Sequence, residues 1–134
     1  MHLDPELQKK LIEAAIQAQQ WAYAPYSKYK VGAAVLTASG KIYDGLNIEN
    51  AAYPTCMCAE RVAIYKAVSE GERDLEAIVV ATTNGGKPCG SCRQVMAEFN
   101  LSMRVLIVDT TGKVYMETTV AELLPEAFTP KDLV

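Results

Sequence analysis

The chain of 134 residues has room for one domain, read as 1–134 without a linker, and its 50% hydrophobic and 22% charged content fits a packed core rather than disorder. A net charge of -3 with no basic run argues against a nucleic-acid partner, because such binding depends mostly on neutralising phosphates. No apolar stretch approaches the ~20 residues that span a bilayer, and the opening Met-His-Leu-Asp-Pro-Glu has no secretory character, so a cytoplasmic chain with no membrane partner is expected.

Asp4 followed by Pro5 reads as the start of a helix, and Leu7, Leu11, Ala14, Ala15 and Ala18 continue it at helical spacing to about residue 21. After the break at Ala24-Pro25, strands over 30–37 and 41–46 flank Ala38-Ser39-Gly40 as a hairpin. A helix over 56–69 ends at Gly71, and the β-branched run 76–82 reads as a buried strand. Pro88 precedes a helix to Phe99. A strand over 104–109, a turn at Gly112, a short strand over 114–117 and a helical turn over 120–124 complete the chain. This order predicts an α/β fold, a mixed five-stranded sheet in a three-layer α/β/α arrangement.

Four cysteines accompany one histidine, His2. Intracellular cysteines grouped in this way serve metals or catalysis more often than disulfides. Cys89-Gly90-Ser91-Cys92 is a C-x-x-C at a strand-to-helix junction; alone it fits a redox pair, a zinc knuckle or coincidence. Cys58-Ala59-Glu60-Arg61 also opens a helix, where the positive dipole end favours thiolates. Two such turns facing each other would give three thiolates, an incomplete tetrahedron that leaves one position open.

Glu60 adds a carboxylate that could take a proton from a water and pass it on. On one helix Cys58 and Glu60 would be ~200° apart, so they can converge only on a point beyond the helix N-terminus. Arg61 could draw charge from the thiolates, or could be a solvated surface cation. Cys56 is the doubtful fourth cysteine. As a ligand it would close the site, but two residues from Cys58 it should point elsewhere and act as a small buried residue.

Asn47 and Glu49 fall on one side of an extended segment and could grip a sugar hydroxyl, unless Asn47 and Asn50 merely satisfy a turn. By spacing alone Tyr29 could equally be a core residue of its strand, and Phe128 an anchor for the C-terminal tail.

C-A-E-R followed by P-C-G-S-C-R-Q resembles the zinc-dependent cytidine deaminases, with cysteine where the commoner pattern has histidine. The likeness extends through A-Y-A-P-Y-S-K-Y-K-V-G-A-A, N-I-E-N-A-A-Y and E-L-L-P-E-A-F. It implies one Zn²⁺ per subunit held by Cys58, Cys89 and Cys92, with Glu60 as the acid/base and Arg61 behind the ligands. It also implies that Asn47 and Glu49 hold the ribose 3′-hydroxyl, and that Ala59 and Tyr29 lie at the pyrimidine, where phenylalanine is common in place of Tyr29. Phe128 would stack on the base in a neighbouring subunit, with Tyr53 at that interface, in a homotetramer with shared active sites. The implied reaction converts cytidine and deoxycytidine to uridine and deoxyuridine plus ammonia, in pyrimidine salvage. Three rival readings are a deaminase of another cytosine nucleoside such as blasticidin S, a structural zinc module, and a thiol–disulfide oxidoreductase using Cys89 and Cys92.

Overall fold

The computed structural model describes residues 3–133; His2 lies outside them. Helix α1 (Pro5–Gln19) leads into strands β1 (Gly32–Thr37) and β2 (Ile42–Leu46). Then follow α2 (Ala59–Ser69), β3 (Leu75–Thr82), α3 (Gly90–Phe99), β4 (Arg104–Asp109), β5 (Val114–Thr119) and α4 (Val120–Leu123). The strands form one sheet in the order β2-β1-β3-β4-β5, with β3 and β4 parallel and the other neighbours antiparallel. The mixed five-stranded sheet is therefore as expected.

Alternation along the central strands explains the layers. Val35, Ile78, Val80, Val105 and Ile107 face one way and pack with Ala63 and Ile64 of α2 and Met96 of α3. Their neighbours Ala34, Leu36, Val79, Leu106 and Val108 face the other way, onto Leu11 and Ala15 of α1. Strands covered on both faces need apolar residues at successive positions, and β1 has them from Ala33 to Leu36 and β4 from Val105 to Val108. Each fully buried Leu, Ile or Val contributes about 1.5–3 kcal/mol, so these central strands hold the helices at fixed places.

Element boundaries differ from expectation in instructive ways. Asp4 occupies the N-cap of α1, but its side chain makes no capping bond, and the helix stops at Gln19, leaving Trp21 76% exposed. The expected helix over 56–69 begins only at Ala59: residues Tyr53–Thr55 form a 3-10 turn, and Cys58 is extended (φ -74°, ψ 150°). Helical propensity at 56–58 yields to an Ile48–Met57 bridge, which draws that segment toward the end of β2. At its other end α2 closes as foreseen, with Gly71 and Glu72 amides returning to Val68 and Ala67.

The site depends on how closely α2 approaches the sheet. A Cβ on Gly45 of β2 would lie 2.5 Å from the carbonyl oxygen of Ala59 and from the amide nitrogen of Ala63. Glycine there lets the first turn of α2 rest on the strand, which fixes the height of Glu60.

Candidate active site

Two helix N-termini converge at the ends of β1 and β3. Cys58 is the N-cap of α2 and Cys89 the N-cap of α3, while Cys92 sits in the first turn of α3 and is fully buried. The three sulfurs all lie within 4.8 Å of one another, with Cys58 Sγ 3.8 Å from Cys89 Sγ and Cys89 Sγ 3.4 Å from Cys92 Sγ. Zn–S bonds of about 2.3 Å at tetrahedral angles place sulfurs about 3.8 Å apart. The donor set therefore fits one zinc ion, with a fourth position left open.

Cys56 is not part of this group. Its sulfur accepts from the Asn50 amide at 3.2 Å and donates to the Asn50 carbonyl at 3.6 Å, which ties the 50–56 turn together. A closed four-cysteine site is thereby set aside. The expectation of a buried residue is corrected too: Cys56 is half-buried, and its thiol serves local main-chain groups.

The electrostatics suit metal binding. The Cys58 thiol is lowered to about 5, first by hydrogen bonding with Cys92, then by Arg61 and Cys89. Arg61 Nη2 donates to Cys58 Sγ at 3.3 Å, and that contact raises the guanidinium above its ordinary value. Cys92 is pushed up, chiefly by its hydrogen bond to Cys58 and then by burial, so the negative charge resides on Cys58. Arg61 Nε is buried without a partner among the described residues, which places Arg61 behind the sulfurs rather than in solvent.

Glu60 is 4% exposed, and burial raises its carboxyl to about 7, with the Cys58 charge adding to the rise. Cys58 lies outside the helix and Glu60 within its first turn, which resolves the ~200° problem: both meet the space beyond the helix end. A buried carboxyl that titrates near neutrality is suited to both taking and returning a proton.

A cavity of about 260 Å³ opens over this centre, lined by Tyr29, Asn47, Glu49, Cys58, Ala59, Glu60 and Cys89 among others. Glu49 accepts from the Tyr26 amide at 2.9 Å, from the Ser27 amide at 3.1 Å and from the Ser27 hydroxyl. These bonds, the hydroxyl first, hold its carboxyl below the ordinary value. Asn47 donates to the Tyr29 carbonyl at 2.8 Å and accepts from the Val31 amide at 3.0 Å. Its amide thus already joins two segments, and each of its polar atoms retains one further site for a ligand.

Tyr53 and Phe128 are not brought into this cavity by a single chain. Tyr53 is 68% exposed, meets Tyr26 edge-on at 6.0 Å and lines an adjoining cavity of about 310 Å³ with Ser27, Glu49 and Cys56. Phe128 is 56% exposed, and its carbonyl is held by Gln94 Nε2 at 2.7 Å. Sequence reasoning missed Ser27, Val31, Val80, Thr82, Gly86 and Lys87, all of which line the catalytic cavity. Alternation from Ser27 through Tyr29 to Val31 could have shown the first two; the others converge only through the fold.

Residues 5–108 match the profile of the family described as "Cytidine and deoxycytidylate deaminase zinc-binding region". A cytidine deaminase of Sporosarcina psychrophila is 54% identical over 128 residues, covering 93% of each chain. A blasticidin-S deaminase of Bacillus cereus is 32% identical over 130 residues, covering 90% of this chain and 91% of its own. The crystal structure of cytidine deaminase from Burkholderia pseudomallei superposes with a TM-score of 0.85 at 46% identity, covering 90% of this chain and 98% of that one. With the three sulfurs, the buried Glu60 and the mixed sheet already in place, this chain belongs to the cytidine and deoxycytidylate deaminase family.

Proposed function

We propose that this chain hydrolyses the C4 amino group of free cytosine nucleosides, cytidine and deoxycytidine, releasing ammonia and leaving uridine or deoxyuridine. The observation that carries this reading is a buried carboxyl, Glu60, beside three clustered sulfurs at the floor of a cavity. Cys58, Cys89 and Cys92 would hold the zinc, and Arg61 would offset their charge. Zinc held there supplies Lewis acidity at the reacting centre.

Glu60 accepts one proton of the attacking water and delivers it to N3 of the ring, then takes the second proton from the new C4 hydroxyl and passes it to the amine, which leaves as ammonia. Burial near the sulfurs keeps bulk water away and lets the same carboxyl act in both directions. The Tyr29 ring and Ala59 bound the base, while Glu49 and Asn47 take the sugar 3′-hydroxyl. The Glu49 carboxylate, ionised at neutral pH and facing the same space, opposes a 3′-phosphate, and this favours nucleosides over polynucleotides.

The exposed Phe128 and Tyr53 support a homotetramer in which each copy helps to cover a neighbour's cavity. Three unpaired cysteines at one site suit the reducing cytoplasm, and pyrimidine salvage is the role that suits the reaction there.

The test is loss of cytidine absorbance on incubation with the zinc-loaded protein, with and without a tight chelator, beside blasticidin S as a competing substrate. Turnover of cytidine that stops on chelation supports the proposal. Cytidine turnover that survives chelation would remove zinc from the reaction, whereas chelator-resistant disulfide exchange without cytidine turnover would favour the thiol–disulfide reading. Preferential turnover of blasticidin S would move the substrate assignment to that antibiotic.

A further inference from the structure

β3 ends at Thr82, and the chain turns through 83–88 before Cys89 opens α3. This turn forms one wall of the catalytic cavity, through Gly86 and Lys87. A short chain of hydrogen bonds leads to Asn84 Oδ1, which accepts twice. The Gly86 amide donates to Thr82 Oγ1 at 2.7 Å, Thr82 Oγ1 donates to Asn84 Oδ1 at 3.5 Å, and Tyr29 Oη donates to the same Asn84 oxygen at 2.8 Å. Tyr29 belongs to the segment before β1 and also lines the cavity, so this bond ties two segments of its lining together.

Two adjacent glycines make the turn fit between two tyrosines. A Cβ on Gly86 would lie 2.1 Å from Tyr29 Oη and 3.3 Å from its Cζ. A Cβ on Gly85, whose φ is +73°, would lie 2.5 Å from the Tyr115 ring on the other side. Tyr115 is itself held by Asp109 Oδ2, to which its hydroxyl donates at 3.1 Å. The other Asp109 oxygen accepts from the Thr111 amide at 2.8 Å, its hydroxyl at 2.6 Å and the Lys113 amide at 3.1 Å. Such a fixed backing leaves the cavity side as the place where the turn can be loosened.

A tyrosine hydroxyl on a cavity wall is available to donate to a ligand only if its proton is free, and here the proton is committed to Asn84. We propose that Tyr29, Asn84 and Gly86 form a latch that holds the 83–88 turn, and with it Cys89 and the Gly86–Lys87 wall, in register with the cavity. Tyr29 is then a positioning residue through its hydroxyl, in addition to presenting its ring. The latch makes positions 29 and 86 interdependent, because a tyrosine hydroxyl and a methyl group at 86 would claim the same space. The proposal rests on the nucleoside reading only for its kinetic readout.

The test uses zinc-loaded Y29F, G86A and the double variant, measured for KM and kcat with cytidine, amide exchange over 83–88, and zinc transfer to a chromogenic chelator. Loss of one hydrogen bond in Y29F is expected to speed exchange of the turn by about three- to tenfold. G86A should displace the Tyr29 ring and raise KM about tenfold with kcat nearly unchanged, and the double variant should return to within about threefold of Y29F. Zinc transfer should accelerate in Y29F and G86A, and the double variant should release zinc no faster than Y29F.

Additive losses in the double variant, or unchanged exchange in Y29F, would overturn the latch. Should G86A fail to fold, N84A takes its place: Y29F/N84A should be no worse than N84A alone, and additivity would again overturn the proposal. If wild-type protein does not turn over cytidine yet the exchange and zinc-transfer cycles remain non-additive, the nucleoside reading fails while the latch stands. If cytidine is turned over and the cycles are additive, the latch alone fails.

Discussion

The floor and the rim of the catalytic cavity are built differently. At the floor, Glu60 and Cys92 are buried, Cys58 and Cys89 cap two helices, and Arg61 lies behind the sulfurs, all supplied by one chain. At the rim, Glu49 and Asn47 are already hydrogen-bonded to backbone, and outside the cavity Tyr53 and Phe128 project into solvent. Chemistry that needs burial and fixed charge is complete within one chain, whereas the sugar-side groups and the exposed aromatics stand open to solvent.

The sharpest way to break this contrast lies at the floor. Glu60→Gln keeps the shape and removes the proton carrier, so turnover should fall by about 10³-fold while zinc content stays unchanged by elemental analysis. A variant near wild-type rate would remove Glu60 from the mechanism. Cysteine replacements separate ligands from bystander: Cys92→Ala should abolish stoichiometric zinc, whereas Cys56→Ala should retain it, since the Cys56 sulfur bonds the Asn50 backbone and stands outside the three-sulfur group. Retention in both would disprove the three-sulfur set.

Arg61→Gln should weaken zinc binding by about 10- to 100-fold, measured by competition with a chelator, because the Cys58 charge loses its donor. Changes away from the floor should be smaller and should act on KM. Phe128→Ala should raise KM about fivefold through lost stacking, with a melting temperature close to wild type because the side chain is exposed. An unaltered KM would detach Phe128 from the substrate.

The smallest effect tests Glu49. Its carboxyl is depressed, first by the Ser27 hydroxyl, so its favourable contribution is present above the ordinary value of 4.5 and is lost as pH falls through the depressed value. Ser27→Ala should move that loss upward, raising KM at pH 4.5 by about twofold and leaving pH 8 unaffected. Equal change at both values would mean that Ser27 acts other than through Glu49 ionisation.

Much of the floor was legible because its residues sit in two short motifs, each at a helix start. Cys58, Glu60, Cys89 and Cys92 announced themselves by type and spacing, and the sheet by its runs of β-branched residues. Helix α2 was drawn too early because periodicity counts Cys56 to Cys58 as helical, while a bridge from Ile48 holds Met57 extended. The Thr82–Asn84–Gly86 wall was invisible, since Thr-Thr-Asn-Gly-Gly reads as an ordinary turn until Tyr29 and Tyr115 are seen on either side of it.

The sequence by itself determined the ligand types, the acid/base candidate, the strand order along the chain and the likeness to a family. These are local properties, carried by side-chain chemistry and by period-two or helical spacing. Tertiary structure alone decided that the sulfurs stand 3.4 and 3.8 Å apart in two of their pairings, that Glu60 is buried enough to titrate near 7, and that Cys56 stands aside. The reason is physical: desolvation and ligand geometry depend on segments distant in sequence that meet only when the sheet brings two helix ends together.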